Sequence, residues 1–442
     1  MDLTSRLFMM AASGGGPSSG YWYATLGSAQ SEIGVGIRAG SDDSLYIKAF
    51  GGGYAYAAKY ATDGALTWQR RIATATGPSD PRQLAIDSSD SIYFAYADIG
   101  TSTDSIYAVA YNSSGALQWQ KRWNGNSRFG VQDGACAVCY GSNIYVSSRR
   151  VSQLGESAVG NTTAWLTKAA ASTGAVTWSN NTYNLDNFAY AVTVDGSENV
   201  YMAHEVDQGG TINIGQLAVS KFNSAGARAW TSSVRGESYS AAGTTFYRTI
   251  AGESVELDSS TNIYVAGRKL NTSDVTRAAI FKFNSSGTIQ WARALGTTAG
   301  SYYGVTTDSS GNIYACGSVG GVAVVVSYDS SGNINWQRSW SGGVGDAFRS
   351  IDIDSNGDLC ICGNTSSAGE GSNDILLIKL PADGSLTGTY GNFTYAASTY
   401  INATEVANAY SSGAATYSQS VTVTNSSFSE TAGSLVSDTT NL

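Results

Sequence analysis

Five cysteines, one histidine and 34 acidic residues are the groups that could do chemistry in this chain of 442 residues. Cys136 and Cys139 have the C-x-x-C spacing of redox and zinc sites, but no second pair and no neighbouring histidine completes a site. Cys316 and Cys362 fall in corresponding slots of successive repeats and read as small buried side chains. An odd cysteine count argues against a disulfide framework. Asp354-Ser-Asn356-Gly-Asp358 begins like a Ca²⁺ loop, with oxygens at alternate positions, but the terminal Glu is missing. It reads as a hairpin turn. His204 has no assignable Ser or Cys nucleophile and reads as a packed or surface imidazole. Acids fall mainly in turn slots, not in the facing pair that glycoside hydrolysis needs. The expectation is no catalytic residue, no metal and no cofactor.

Charge narrows the partners. Lys+Arg is 25 against Asp+Glu 34, for a net charge of −9. Phosphate backbones attract basic patches, and the chain has no Lys/Arg cluster, so nucleic acid is excluded. No apolar run reaches the ~18 residues of a membrane span.

The elements that must position any site come in repeats. A G-x-x-x-W phrase places Trp68, Trp119, Trp178, Trp230, Trp291 and Trp336, and Trp22 lies in the same kind of strand without its preceding turn. An eighth copy, 383–388, has Gly388 in place of the Trp. Seven apolar segments, most of them Tyr-bearing, from 44–50 to 358–364, mostly follow Asp-containing turns. Period-2 alternation marks strands, and Asp/Asn/Gly turns mark hairpins. Four strands repeated seven times predict an all-β, seven-bladed β-propeller with four-stranded blades. The N-terminal strand is expected to close the ring, with residues 20–27 in the blade of residues 358–380. The seven Trp residues are expected as inter-blade anchors, each burying ~150–250 Å². Trp119→Ala or Trp291→Ala is then expected to cost ~3–5 kcal/mol.

Three regions follow: an extension at 1–20, a propeller at 21–389 and a Ser/Thr-rich tail at 390–442. The extension can be read as a loose terminus, a docking peptide or a signal peptide. The tail is too poor in apolar residues to fold alone, so it must lie on the propeller, pair with another chain or stay mobile. Inter-unit loops combine Gly, aromatics and Arg or acids. They nominate Phe129, Phe188, Tyr239, Tyr302, Tyr303, Phe348 and Arg349 as rim residues, of a kind suited to sugar faces or a receptor.

The phrases NIYVAG (262–267) and DSSGNIY (308–314), with S-G-x-x-x-W, resemble the SBBP-type β-propeller repeat over about residues 20–390. TGAVTW (173–178) also resembles the tryptophan-docking motif of quinoprotein propellers, but the adjacent cysteine pair of their cofactor site is absent. The layout of extension, propeller and Ser/Thr-rich tail resembles structural or tail proteins of phages of marine bacteria and cyanobacteria. That resemblance implies a non-enzymatic virion component: a tail, fibre or capsid-decorating adhesin, in many copies within a symmetric assembly. Its N- and C-terminal segments would hold other virion proteins, and its rim a host-surface glycan or protein. The alternatives are a bacterial secreted or surface glycan-binding propeller and, further off, a propeller-based lyase or glycosidase.

Overall fold

The computed structural model describes residues 4–9, 20–73, 83–98, 105–124, 131–151, 162–183, 188–206, 215–236, 238–241, 244–247, 250–369, 372–404, 408–410, 415–418, 422–425 and 430–432. Among the described residues there is no helix, so none is long and apolar enough to cross a membrane.

The chain forms a seven-bladed β-propeller of antiparallel meanders. Blade 1 runs from Glu32–Ala39 at the axis through Leu45–Gly51 and Tyr54–Tyr60 to Leu66–Ala73. Blades 2 to 6 repeat this order, with innermost strands Ala85–Ile86, Val131–Tyr140, Ala189–Val194, Ile250–Leu257 and Gly300–Thr307. Blade 7 takes Ala347–Ile353, Leu359–Thr365 and Asp374–Leu380 from one end of the chain and Trp22–Gly27 from the other. Trp22 pairs with Lys379 and Leu26 with Ile375, so the N-terminal strand closes the ring as expected.

Both faces of every blade are buried, because each is pressed between two neighbours. Seven apolar clusters result, one in each joint. In blade 1, Leu45 and Ile47 face blade 7, while Tyr46 faces blade 2. This is the strand's period of two, read by two different partners. One buried polar residue, Lys48, is satisfied across a joint. Lys48 donates to the carbonyls of Gln83 (3.2 Å) and Ala95 (2.9 Å) in blade 2 and lies over Phe50 and Phe94.

Each blade carries a fifth strand outside its fourth, and blade 6 a sixth, Gly388–Tyr390, beyond that. Thr4–Met9 covers blade 7. The C-terminal tail covers the others in reverse order, from Phe393–Ala397 on blade 6 through Asn402–Thr404, Asn408–Tyr410, Ala415–Ser418 and Thr422–Asn425 to Glu430–Ala432 on blade 1. Trp340, Leu295, Val234, Thr182, Trp123 and Ile72 occupy the same place in their fourth strands. They face Tyr395, Asn402, Ala409, Thr416, Val423 and Glu430, which is every seventh residue of the tail. Of the three fates open to the tail, its described strands take the first and lie on the propeller.

Candidate functional site

In a four-stranded meander the first and third connections emerge on one face of the disc, here the turn face. The second connections and the links between blades emerge on the opposite, loop face. The tryptophan anchors belong to the turn face. Trp22, Trp68, Trp119, Trp178, Trp291 and Trp336 each donate from Nε1 to a backbone carbonyl in the next blade's turn: Thr62, Ser113, Ala171, Ser224, Ser330 and Ala382. Trp230 lies against Gly287 of the next blade. These contacts cross from one blade to the next, but Trp119, Trp178, Trp230, Trp291 and Trp336 are only half-buried. They plate the outer margin of each joint. The fully buried indoles are Trp22, Trp123 and Trp340. The cost expected for Trp119→Ala or Trp291→Ala therefore falls below that of a core cavity.

The turn acids have structural work. Asp87, Asp195, Asp258 and Asp308 each accept from the Tyr hydroxyl six residues on, at 2.8–3.1 Å. In blade 7, Cys360 replaces that Tyr and the Lys379 ammonium reaches Asp354 directly, at 2.6 Å. Asp354 Oδ1 also accepts from the Asn356 and Asp358 amides (3.0 and 2.9 Å), which makes this segment a turn like the others. Asp43, Asp90 and Glu198 sit at a left-handed turn position (φ 59, 57 and 63°), from which the side chain reaches the preceding blade. Asp43 accepts from Ser355 and Asn356, Asp90 from Ser41, and Glu198 from Asn143, Tyr145 and Lys168.

The loop face is shaped by a bulge. In blades 1, 4, 5, 6 and 7 the innermost strand inserts one extra residue at the same register: Val35, Tyr190, Glu253, Tyr303 and Arg349. Bulges re-aim a side chain out of the alternating pattern. Two adjacent pairs of nominated residues are split by this device. Tyr302 and Phe348 are wholly buried, Tyr302 bonded to the Tyr328 hydroxyl (2.6 Å), so neither is a rim residue. Tyr303 and Arg349 are the bulged residues and stay half-exposed. The Arg349 guanidinium lies 4.3 Å from the centre of the Tyr303 ring, across the joint between blades 6 and 7. Its Nε donates to Asn364 Oδ1 at 3.2 Å. In blade 4, Phe188 stacks on Tyr190 (5.9 Å, 8°), whose hydroxyl donates to Glu205. In blade 5, Arg268 pairs with buried Glu253. Tyr239 lies in the Ser238–Ala241 strand of a separate hairpin, and Phe129 lies outside the described residues.

At the turn-face end of the axis, Arg38 of blade 1 acts on both Asp352 of blade 7, 4.0 Å away, and Glu256 of blade 5. Residues of blades 1 and 5 can act on each other only across the axis. Burial pushes both carboxyls above their ordinary range, and Arg38 opposes it. Thr193 Oγ1 lies 3.5 Å from Glu256. Sequence reasoning passed over this group. The available signal was a charge in a strand slot that Thr193 and Thr306 fill elsewhere.

The other reactive types are spent inside. His204 is buried, with Nε2 2.9 Å from Ser220 Oγ, and Ser220 is 2.7 Å from Thr231 Oγ1. Burial holds its pKa down at about 4, aided by Arg228, while the Glu205 carbonyl opposes the shift. Cys316 and Cys362 are fully buried, and burial pushes both thiols up. Cys136 and Cys139 lie on one strand, Val131–Tyr140; Cys139 is half-buried and burial pushes its thiol up. Among the described residues no group of three or more His, Cys, Asp or Glu could hold a metal ion.

No protein-family model matches the chain, and no curated protein matches it. Solved structures do. The extracellular domains 1-2 of Drosophila Semaphorin 1a match at 10% identity and TM-score 0.46, over 80% of this chain and 86% of theirs. An α-L-arabinofuranosidase, Arb93A of Fusarium graminearum, matches at 10% and 0.41, over 86% and 98%. A protein from Lactobacillus plantarum matches at 12% and 0.37, over 83% and 99%. Enzymes and non-enzymes stand side by side among these likenesses, and none bears on the activity of this chain.

Proposed function

We propose that this protein is a non-enzymatic structural component of a phage particle, present in many copies, that binds a host-surface glycan or protein through its loop face. The observation that carries the binding role is the bulge-presented pair Tyr303–Arg349, held from beneath by buried Asn364. An aromatic ring and a guanidinium, fixed by stacking and by the Asn364 amide, are preorganised on adjacent blades. Such a group suits the C–H face and the hydroxyl or carboxylate edge of a sugar. Preorganisation on strands lowers the entropy lost on binding. Attachment to other virion proteins runs through the terminal strands, which, apart from Phe393–Ala397, are the outermost described strands of their sheets and offer an edge for strand addition. The absence of a catalytic role rests on the internal use of His204 and of the turn acids.

The test is a glycan array and a host-cell binding assay with the full chain. Arg349→Ala and Tyr303→Ala are expected to weaken binding at least tenfold while leaving the melting temperature within a few degrees. Unchanged binding by both variants would move the ligand site elsewhere. Gold-labelled antibody against the protein is expected to decorate intact particles, and bare particles would remove the virion role. Release of new sugar ends from a polysaccharide panel, abolished by Glu256→Gln or Asp352→Asn, would favour the lyase or glycosidase reading.

A further inference from the structure

The seven-residue step of the tail extends beyond the six blades it covers. In units of seven beginning at Asn392, the second position holds Phe393, Tyr400, Ala407, Ala414, Val421, Phe428 and then Leu435, apolar every time. Phe393 is wholly buried in the blade 6–7 joint, and Tyr400 packs on the cluster between blades 5 and 6. In both described copies this position is an inward anchor. The first six units serve blades 6, 5, 4, 3, 2 and 1 in turn. The seventh, 434–440, has the same pattern and lies outside the described residues. One more step of the same length and direction leads from blade 1 to blade 7. There the fourth strand, Trp22–Gly27, is already paired with Thr4–Met9.

We infer that the outer edge of blade 7 is a strand-binding site with two occupants in the same chain, Thr4–Met9 and the seventh unit of the tail. Both approach Trp22–Gly27 antiparallel. Thr4–Met9 is antiparallel to it, and all six placed tail strands are antiparallel to their fourth strands. Continuing the register sets Ser437 opposite Leu26 and Asp438 opposite Thr25, positions that Ser5 and Arg6 occupy in the pairing seen. Backbone ladders read direction and register more than side chains, so one edge accepts either strand. Occupation by the tail completes a belt of seven units round seven blades and releases residues 4–9 as a free strand.

Proline within a strand removes a ladder donor and blocks pairing, so the occupants can be disabled one at a time in the full chain. The readout is deuterium uptake by the peptide covering residues 21–27. Leu7→Pro alone and Ser437→Pro alone are each expected to leave the uptake rate within about twofold of the parent. The double variant is expected to raise it at least tenfold. A full rise from either proline alone, or no rise from both together, overturns the inference. Cross-linking supplies a measurement independent of exchange. In the Leu7→Pro background, Thr25→Cys with Asp438→Cys is expected to form a disulfide under mild oxidation, whereas Thr25→Cys with Leu435→Cys is not. Equal yields from the two pairs would also overturn it.

Discussion

Trp336 and Trp340 lie four residues apart on one strand of blade 6 and meet different surroundings. Trp336 is a half-buried plate over the turn of blade 7, fixed by the Ala382 carbonyl. Trp340 is wholly buried among Tyr23, Phe393 and Tyr395, with ring centres 5.0–5.9 Å away. Trp340→Ala is expected to cost ~3–5 kcal/mol through its cavity, and Trp336→Ala about half as much, measured by denaturant unfolding. A larger loss at Trp336 would mean that the outer plate, not the inner ring, holds the joint. The G-x-x-x-W phrase made Trp336 legible; Trp340 follows no phrase, and only packing shows its weight. His204 makes a second test at this scale. An unfolded imidazole titrates near ~6.5, whereas the folded one titrates at about 4. Between these values the unfolded chain binds more protons, so stability falls as pH drops through that window, by up to about 3 kcal/mol. Urea unfolding from pH 7 to 4 is expected to show a flatter decline for His204→Gln than for the parent. Parallel curves would assign the decline to other groups.

Turns and bulges decide what each element presents. The turn glycine Gly287 has φ +82°, and a Cβ there would come within 2.9 Å of the Trp230 ring in the preceding blade. Gly287→Ala is therefore expected to destabilise by ~1–3 kcal/mol, from the left-handed backbone and the displaced plate together. A loss of a few tenths would show that the indole moves aside freely. The strands, their turns and the repeat were legible because alternation and turn residues are local properties. The bulges were not. Tyr302-Tyr303 and Phe348-Arg349 read as equal rim pairs, whereas one inserted residue sends the first of each pair inward and the second to the rim. A bulge is a mismatch between two strands, so it has no signature in either one alone.

At the scale of the whole molecule, the chain's ends complete what its repeats begin. The eighth phrase lacks its Trp because that blade takes its fourth strand from the N-terminus: 383–388 supplies the turn under Trp336, and Trp22 supplies the indole. The tail then adds a strand to blade after blade. A boundary at residue 390 cuts through one sheet, since Gly388–Tyr390 and Phe393–Ala397 both pair within blade 6. Ending the chain after Ala397 is expected to leave the disc folded, with a melting temperature within a few degrees of the parent. Ending it after Tyr390 removes Phe393 and Tyr395, which are 0% and 1% exposed, and is expected to lower stability by at least ~3 kcal/mol. Equal melting temperatures for the two forms would place the belt, not this last pair of strands, in charge of blade 6. The sequence by itself determined the class, the blade number and the closing strand, because each is written in local alternation or in a phrase that recurs. Only the tertiary structure decided which aromatic of a pair is exposed, that Arg38 of blade 1 acts across the axis on acids of blades 5 and 7, and that the described strands of the tail form a belt in steps of seven. Those depend on strands brought together from distant parts of the chain, and pairing between distant strands is set by the closed ring, not by the residues of either strand.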